Sequence, residues 1–405
     1  MRSEFIKNKI GFIPPKNWKV YKLGELTEIN SDSLGSKTSP DLRIKYIDLG
    51  SVKTGTIDLP ADEFTFNDAP SRARRVISTG DILMSTVRPN LKGFARADDK
   101  IDGYVCSTGF AVLSAKSKID SKLIYQSLFT ESFERQFHQL LVGSSYPAIN
   151  NSDVEKLYLA LPIKREERES LAEIFTTWDE AISKTEILIQ AKKRYKKGLM
   201  QRLLSGKVRF PEFEGEEWVE VKLGEVFNER NDKGFNDLKL VAITTNNGVI
   251  DRDELERRDT SSNDKSNYKR ILPGDIGYNT MRMWQGVSGY SELEGIVSPA
   301  YTIVTPISDK VDGLFMSYLF KHPPIVDLFR RYSQGLVSDT LNLKYSNFSQ
   351  IKLKIPSSTM EQQKIASVFT EIDKEIDLMK KETALYQKQK KGLMQQLLTG
   401  KVRVN

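Results

Sequence analysis

KKGLMQRLLSGKVR (Lys196–Arg209) and KKGLMQQLLTGKVR (Lys390–Arg403) are one passage written twice, differing only at Arg202/Gln396 and Ser205/Thr399. A second pair lies upstream. KLGE at Lys22–Glu25 recurs at Lys222–Glu225, each time four residues after a tryptophan, Trp18 or Trp218. The copies lie 200 residues apart at the first motif and 194 at the second, so the repeat spans nearly all 405 residues, with six lost inside the second copy. A period of that length is far beyond the unit of a solenoid. It means two whole domains in tandem, each followed by the same helix, presenting two similar but non-identical surfaces.

Each copy reads as a mixed, β-rich domain and then a long helix. Strands are expected at 46–52, 81–87 and 104–113, and in the second copy at 238–245, 275–281 and 296–305. TGDILMSTVRP (Thr79–Pro89) aligns with PGDIGYNTMRM (Pro273–Met283), setting Asp81 opposite Asp275 and Arg88 opposite Arg282. A helix is expected over 121–141 and over 314–332, then a loop and a last strand ending at Pro162 or Pro356. Beyond those prolines, apolar residues recur at heptad spacing. They are Leu171, Phe175, Trp178, Ile182, Leu199 and Leu203, then Ile365, Phe369, Ile372, Ile376, Leu393 and Leu397. Such a seam needs a helical partner. Gly206 and Gly400 stop the two helices. The simplest partner for each helix is the other, as an antiparallel coiled coil; the alternative is a coiled coil between separate chains. Lys192, Lys196 and Lys390 interrupt the seam, which weakens it and leaves room for other proteins. The expected class is α+β: domains at 1–163 and 207–357, and spacer helices at 164–206 and 358–405.

Bulk composition narrows the function. The chain is 39% hydrophobic and 28% charged, with no membrane-length apolar run and no secretory h-region. A single cysteine, Cys106, excludes an internal disulfide and fits a reducing compartment, so a cytoplasmic protein is expected. A net charge of +7 favours a polyanionic partner. Enzyme signatures are missing: there is no phosphate-binding loop, no GxGxxG opening a helix and no metal-ligand cluster. Of the two histidines, His138 and His322, the second reads as a surface residue. His322-Pro323-Pro324-Ile325 lacks the amide and ring of the Asn-Pro-Pro-aromatic tetrapeptide of amino-methyltransferases. Pro40-Asp41 with Asp98-Asp99-Lys100 matches a loose nuclease pattern, without a counterpart in the second copy.

Basic residues with polar and aromatic neighbours mark where a polyanion would bind. In the first copy these are Arg72, Arg74 and Arg75, then Arg88 and Lys92, then Ser144, Ser145 and Tyr146. In the second they are Arg257, Arg258, Lys265 and Tyr268, then Arg282, Trp284 and Gln285, then Gln334 and Ser338. Arginine, glutamine and serine read base edges, whereas lysine mainly holds phosphates. Arg88 and Arg282, at matching positions, serve something common to both copies: a phosphate contact or a fold-holding ion pair. Residues that differ, such as Arg74 against Lys265 or Tyr146 against Ser338, are where different sequences would be read.

The opening IGFIPPKNWKVYKLGEL, the segment GDILMSTVRPN, the loop GSSYPAIN (Gly143–Asn150) and the doubled helix end together resemble the specificity subunit of type I restriction-modification systems. The resemblance covers essentially the whole chain. The second copy departs from it at Met283-Trp284 and at GLVSDTLN (Gly335–Asn342). It implies two target recognition domains, each reading one half of a split, asymmetric site in double-stranded DNA. It also implies two long helices that act as a spacer and dock two methyltransferase subunits. S-adenosylmethionine would bind in those partners, with no cofactor or metal in this chain, and two restriction/motor subunits would complete the complex. The chain itself would be non-catalytic. A scaffold of two protein-binding modules on a helical stalk, and a solitary nuclease using Asp98, Asp99 and Lys100, are the rival readings.

Overall fold

The computed structural model describes residues 2–141, 147–245, 247–255, 264–307 and 310–404. Two compact units emerge, Met1–Glu186 with Lys381–Asn405, and Ile187–Lys380. Each is described by itself.

In the first unit, strand Trp18–Lys22 pairs antiparallel with Tyr158–Pro162, bringing the two ends of the globular part together. An antiparallel sheet follows in the order Thr27–Ile29, Phe110–Ala115, Ile82–Ser85, Phe94–Arg96. Ile82, Leu83, Met84 and Ser85 are all buried, as an uninterrupted apolar run on a central strand requires. A second, mixed sheet runs Glu63–Thr65, Arg43–Ile47, Val105–Ser107, Ala73–Val76. The expected strand over 104–113 is therefore two strands that change sheet at Thr108-Gly109. A Cβ on Gly109 would lie 2.7 Å from a methyl of Leu49, so a larger residue there must displace that side chain. The strand expected over 46–52 ends at Ile47, where Asp48 accepts hydrogen bonds from the Ser51 backbone (2.8 Å) and hydroxyl (2.9 Å) and turns the chain. The helix expected over 121–141 is two helices, Lys118–Ser127 and Glu131–Leu140. Between them Thr130 returns its hydroxyl to the Ser127 carbonyl at 2.7 Å, a local bond that competes with helix continuation.

In the second unit Trp218–Lys222 pairs with Lys352–Pro356. Its sheet, Phe227–Arg230, Tyr301–Pro306, Ile276–Asn279, Ser288–Tyr290, repeats the order of the first unit's antiparallel sheet strand for strand. The mixed sheet is reduced to two pairs, Val241–Thr244 with Gly248–Asp251 and Lys269–Ile271 with Gly295–Val297, joined by a single parallel bridge between Leu240 and Ile296. The helix expected over 314–332 again divides, into Gly313–Leu319 and Pro323–Tyr332. Here proline is the cause: it forces His322 out of the helical region and suits the first turn of a new helix. His322 is 6% exposed, which corrects its reading as a surface residue; burial lowers its pKa.

The long helices are Arg165–Leu203 and Thr359–Leu397. Each unit takes half of each. In the first, the start of one helix lies along the end of the other: the Trp178 and Tyr386 rings meet edge to face at 5.8 Å, and Lys390 Nζ lies 2.5 Å from Asp179. In the second, Ile189 packs with Ile372 and Ile376, and Lys196 Nζ lies 2.5 Å from Asp373. Within each unit the helices run antiparallel. The lysines expected to weaken the seam instead carry its ion pairs, Lys192 included, with Glu375.

Candidate nucleic-acid interface

Both copies build their exposed end from the same hydrogen bonds. In the first unit Gly80 holds φ +93°, and buried Asp81 accepts the Ser78 N–H at 2.8 Å, so the strand starts in a fixed register. At the other end Thr86 N donates to the Gly109 carbonyl (2.9 Å), Ile149 N to the Thr86 carbonyl (2.9 Å) and Arg88 N to the Pro147 carbonyl (2.7 Å). Thr108 N donates to the Arg72 carbonyl at 2.8 Å. Arg72 and Arg88, both exposed, are thus gathered at one end of the sheet. The chain leaving Ser144, Ser145 and Tyr146 arrives there too; those three lie outside the described residues.

In the second unit Asp275 accepts the Leu272 N–H at 2.8 Å and adds Arg230 and the Thr305 hydroxyl. Thr280 N donates to the Ala300 carbonyl (3.1 Å), and Leu343 N to the Thr280 carbonyl (2.8 Å). Arg282 and Gln285 are exposed at this end, while Trp284 is half-buried and donates its indole N–H to the Met281 carbonyl at 3.0 Å. The loop holding Gln334 and Ser338 arrives beside them. Gln334 and Asn342 exchange backbone hydrogen bonds at 2.8 Å, and Leu336 at the tip is fully exposed.

Other expected contacts have partners within the fold. Arg74 stacks on Phe66 at 4.6 Å and donates to the Ala73 carbonyl. Arg75 donates to the Ser33 hydroxyl at 2.8 Å and its Nε is buried without a partner among the described residues. Lys92 pairs with Glu134 at 3.2 Å. Tyr268 is 7% exposed beneath Lys265, whose ammonium sits 5.0 Å from its ring. That burial leaves its ring no open face for a base. Arg257 and Arg258 lie outside the described residues. Asp98 caps the turn Asp99–Ile101 by accepting the Lys100 N–H at 3.1 Å.

The seam residues divide by role. Leu171, Phe175, Leu397 and partly buried Leu393 join the core of the first domain; Leu203, Ile365, Phe369 and partly buried Leu199 join that of the second. Ile372 and Ile376 make helix–helix packing with Leu199; Ile182 is half-buried. Heptad spacing shows that a face is covered, not by what.

Residues that sequence reasoning missed close the helix ends. In the first unit Arg403 grips Glu167 with two hydrogen bonds (2.5 and 2.6 Å), and Trp18 adds its indole N–H at 3.2 Å. In the second, Arg209 grips Glu361 at 2.9 and 2.5 Å. Each carboxylate raises its arginine's pKa. Gly206 and Gly400, at φ +69° and +68°, lie against the Trp218 and Trp18 rings. The arginine at the end of each helix therefore binds the first turn of the other. The signal was present: Glu167/Glu361, Asp179/Asp373, Lys196/Lys390 and Arg209/Arg403 all recur at the 194-residue interval.

The comparisons with known proteins agree with this doubling. The type I restriction modification DNA specificity domain matches residues 15–193 and again 215–385. The chain is 27% identical to the HindI specificity subunit of Haemophilus influenzae over 41% of its own length, and to the MjaVIII specificity subunit of Methanocaldococcus jannaschii over 51%. It spans 36% and 50% of the length of those relatives. It is 23% identical to the putative MjaX specificity subunit of the same archaeon over 99% of this chain and 97% of that one. Among solved structures it resembles the type I restriction-modification S subunit from M. genitalium, with a TM-score of 0.58 and 17% identity over 94% of this chain and 96% of that one. A chain from a study of assembly and conformational transition in the type I R-M system gives 0.56 and 22% over 95% and 97%. These last two likenesses speak to the fold. With its specificity domain matched twice, once over each copy of the repeat, the chain belongs to the type I restriction-modification DNA specificity family.

Proposed function

We propose that this chain reads a bipartite, asymmetric DNA site and directs a type I restriction-modification complex to it, without catalysis of its own. The observation that carries the reading is the doubled sheet end. Both units present an exposed arginine at the same place, Arg88 and Arg282, beside loops that differ. Two copies of one platform with different tips suit two unlike half-sites joined by a common backbone. The long helices offer docking faces for two methyltransferase subunits, which supply the S-adenosylmethionine site; two restriction subunits complete the assembly. No described helix is long and apolar enough to cross a membrane, and the cytoplasm is the proposed location.

The test is a methylome of the host with the gene intact and deleted. Loss of one split-site methylation pattern supports the reading; an unchanged methylome with the partner methylase expressed refutes it. For the purified complex, Arg88→Ala and Arg282→Ala should each reduce the slope of log affinity against log salt by about one. A salt-insensitive interaction would favour the protein scaffold.

A further inference from the structure

Three non-glycine residues hold a positive φ among the described residues, and two of them bracket one turn: Arg88 at 51° and Lys92 at 54°. Between them Pro89–Leu91 forms a single 3-10 turn. Pro89 is buried and anchors it; Asn90 is exposed and Leu91 is 66% exposed. The Asn90 amide has no hydrogen bond among the described residues. The turn is held on every side. Leu91 N donates to the Arg88 carbonyl and Lys92 N to the Pro89 carbonyl, both at 2.9 Å. The Thr54 hydroxyl and Phe94 N donate to the Lys92 carbonyl at 3.0 and 2.7 Å.

The second unit has a 3-10 turn at the matching place, Met283–Gln285, with buried Met283 as the anchor; Arg282 enters it at φ −132°, unlike Arg88, and Gly286 takes the left-handed position at its end at φ 78°. Glycine is the residue that this conformation favours. The first unit places a lysine there instead, and its ammonium ties the turn to Glu134 at 3.2 Å. Strain of this kind persists where the side chain has a use.

We propose that the Arg88–Lys92 turn is the base-reading tip of the first domain and that it recognises an A·T pair in the major groove. This rests on the DNA-reading function proposed above. Asn90 supplies the paired donor and acceptor that match adenine N6 and N7, and Leu91 supplies an apolar surface for the thymine methyl. Arg88, at one end, holds a phosphate and sets the depth of entry, while the Lys92–Glu134 pair at 3.2 Å fixes the other end of the turn. Neither Asn90 nor Leu91 stands out in the sequence, because neither is charged or aromatic.

The experiment uses the full chain assembled with its methyltransferase partners and duplexes carrying the recognised site. Each adenine is replaced in turn by 7-deazaadenine, which lacks N7, and each thymine by deoxyuridine, which lacks the methyl. One 7-deazaadenine position, confined to one half-site, should weaken wild-type binding about tenfold and have no further effect on Asn90→Ala. A deoxyuridine in the same or the adjacent pair should weaken wild type and leave Leu91→Ala unchanged. Asn90→Ala and Leu91→Ala with wild-type affinity and wild-type analogue sensitivity would overturn the proposal. A wild-type complex without sequence preference would remove the underlying reading, and is recognised before any variant is made.

Discussion

Replacing Arg209 with alanine should destabilise the second unit more than replacing Arg403 destabilises the first, although the two arginines close equivalent helix ends. The difference lies in what each leaves behind. Glu361 is 1% exposed, and Arg209 is its one hydrogen-bonding partner among the described residues. The neighbouring indole does not help, since Trp218 Nε1 is buried without a partner there. Truncating Arg209 leaves a buried carboxylate unpaired, a change worth about 3–5 kcal/mol. Glu167 keeps the Trp18 hydrogen bond, and Arg403 is 35% exposed, so water can replace part of it. Arg403→Ala should therefore cost about 1–3 kcal/mol.

The double variant Arg209→Met, Glu361→Leu removes both charges and should return to within about 1 kcal/mol of wild type, because an apolar pair avoids the desolvation that the ion pair must overcome. Two units need not unfold together, so a single melting temperature would blur the comparison. Hydrogen exchange of the amides in the first turns of the helix beginning at Thr359, under native conditions, isolates the closure that matters. Arg209→Ala costing less than about 1 kcal/mol, or a double variant no more stable than the single, would refute the assignment of the lock.

Three further outcomes follow. Burial and the charge of Lys196 push Lys321 down to about 8 from an ordinary 10.5, against the pull of Asp373. The folded state thus resists protonation, a penalty fully present below pH 8 that fades as pH rises towards 10.5. Lys321→Met should accordingly gain up to about 3 kcal/mol at pH 7 and little at pH 10.5; equal urea-midpoint shifts at both would contradict this. A chain ending at Arg209 contains both Glu167 and Arg209, and two copies can exchange them as the two helices do here. It should elute as a dimer, and Arg209→Ala should return it to a monomer; a wild-type half that elutes as a monomer would count against the reciprocal lock. Because each unit takes half of each helix, lengthening one alone should dislocate its ion pairs. Matched seven-residue insertions after Ala191 and Leu385 should add about 10.5 Å of helix and lengthen the spacer between half-sites by about three base pairs; an unchanged spacer in the methylome would exclude a ruler.

How much of this was legible depended on which force set each feature. The long helices were readable because their limits are local: Pro162 and Pro356 before them, Gly206 and Gly400 after them. The broken helices at Thr130 and Pro323 were missed because apolar periodicity runs on through a change of direction. Lys196 and Lys390 looked like flaws in a seam because their partners, Asp373 and Asp179, lie on the other helix. Tyr268 looked like a stacking surface because a sequence records an aromatic ring without its burial.

What the sequence held in plain view was a comparison of the chain with itself. Both copies must close the same pair of helices, yet they face different surfaces. Residues that persist at the 194-residue interval should therefore serve closure, and those that change should serve reading. Asp81 and Asp275 fix a turn, Glu167 and Glu361 receive arginines, and Lys196 and Lys390 bridge helices. Asn90-Leu91-Lys92 gives way to Trp284-Gln285-Gly286 at a surface tip. Arg88 and Arg282 then stand out, because they persist and yet are exposed, and Arg282 pairs with no carboxylate among the described residues. An arginine kept in both copies and exposed in both is placed to meet a group that both half-sites share. Of the groups that two unlike half-sites share, the phosphate backbone is the one an arginine would hold in both.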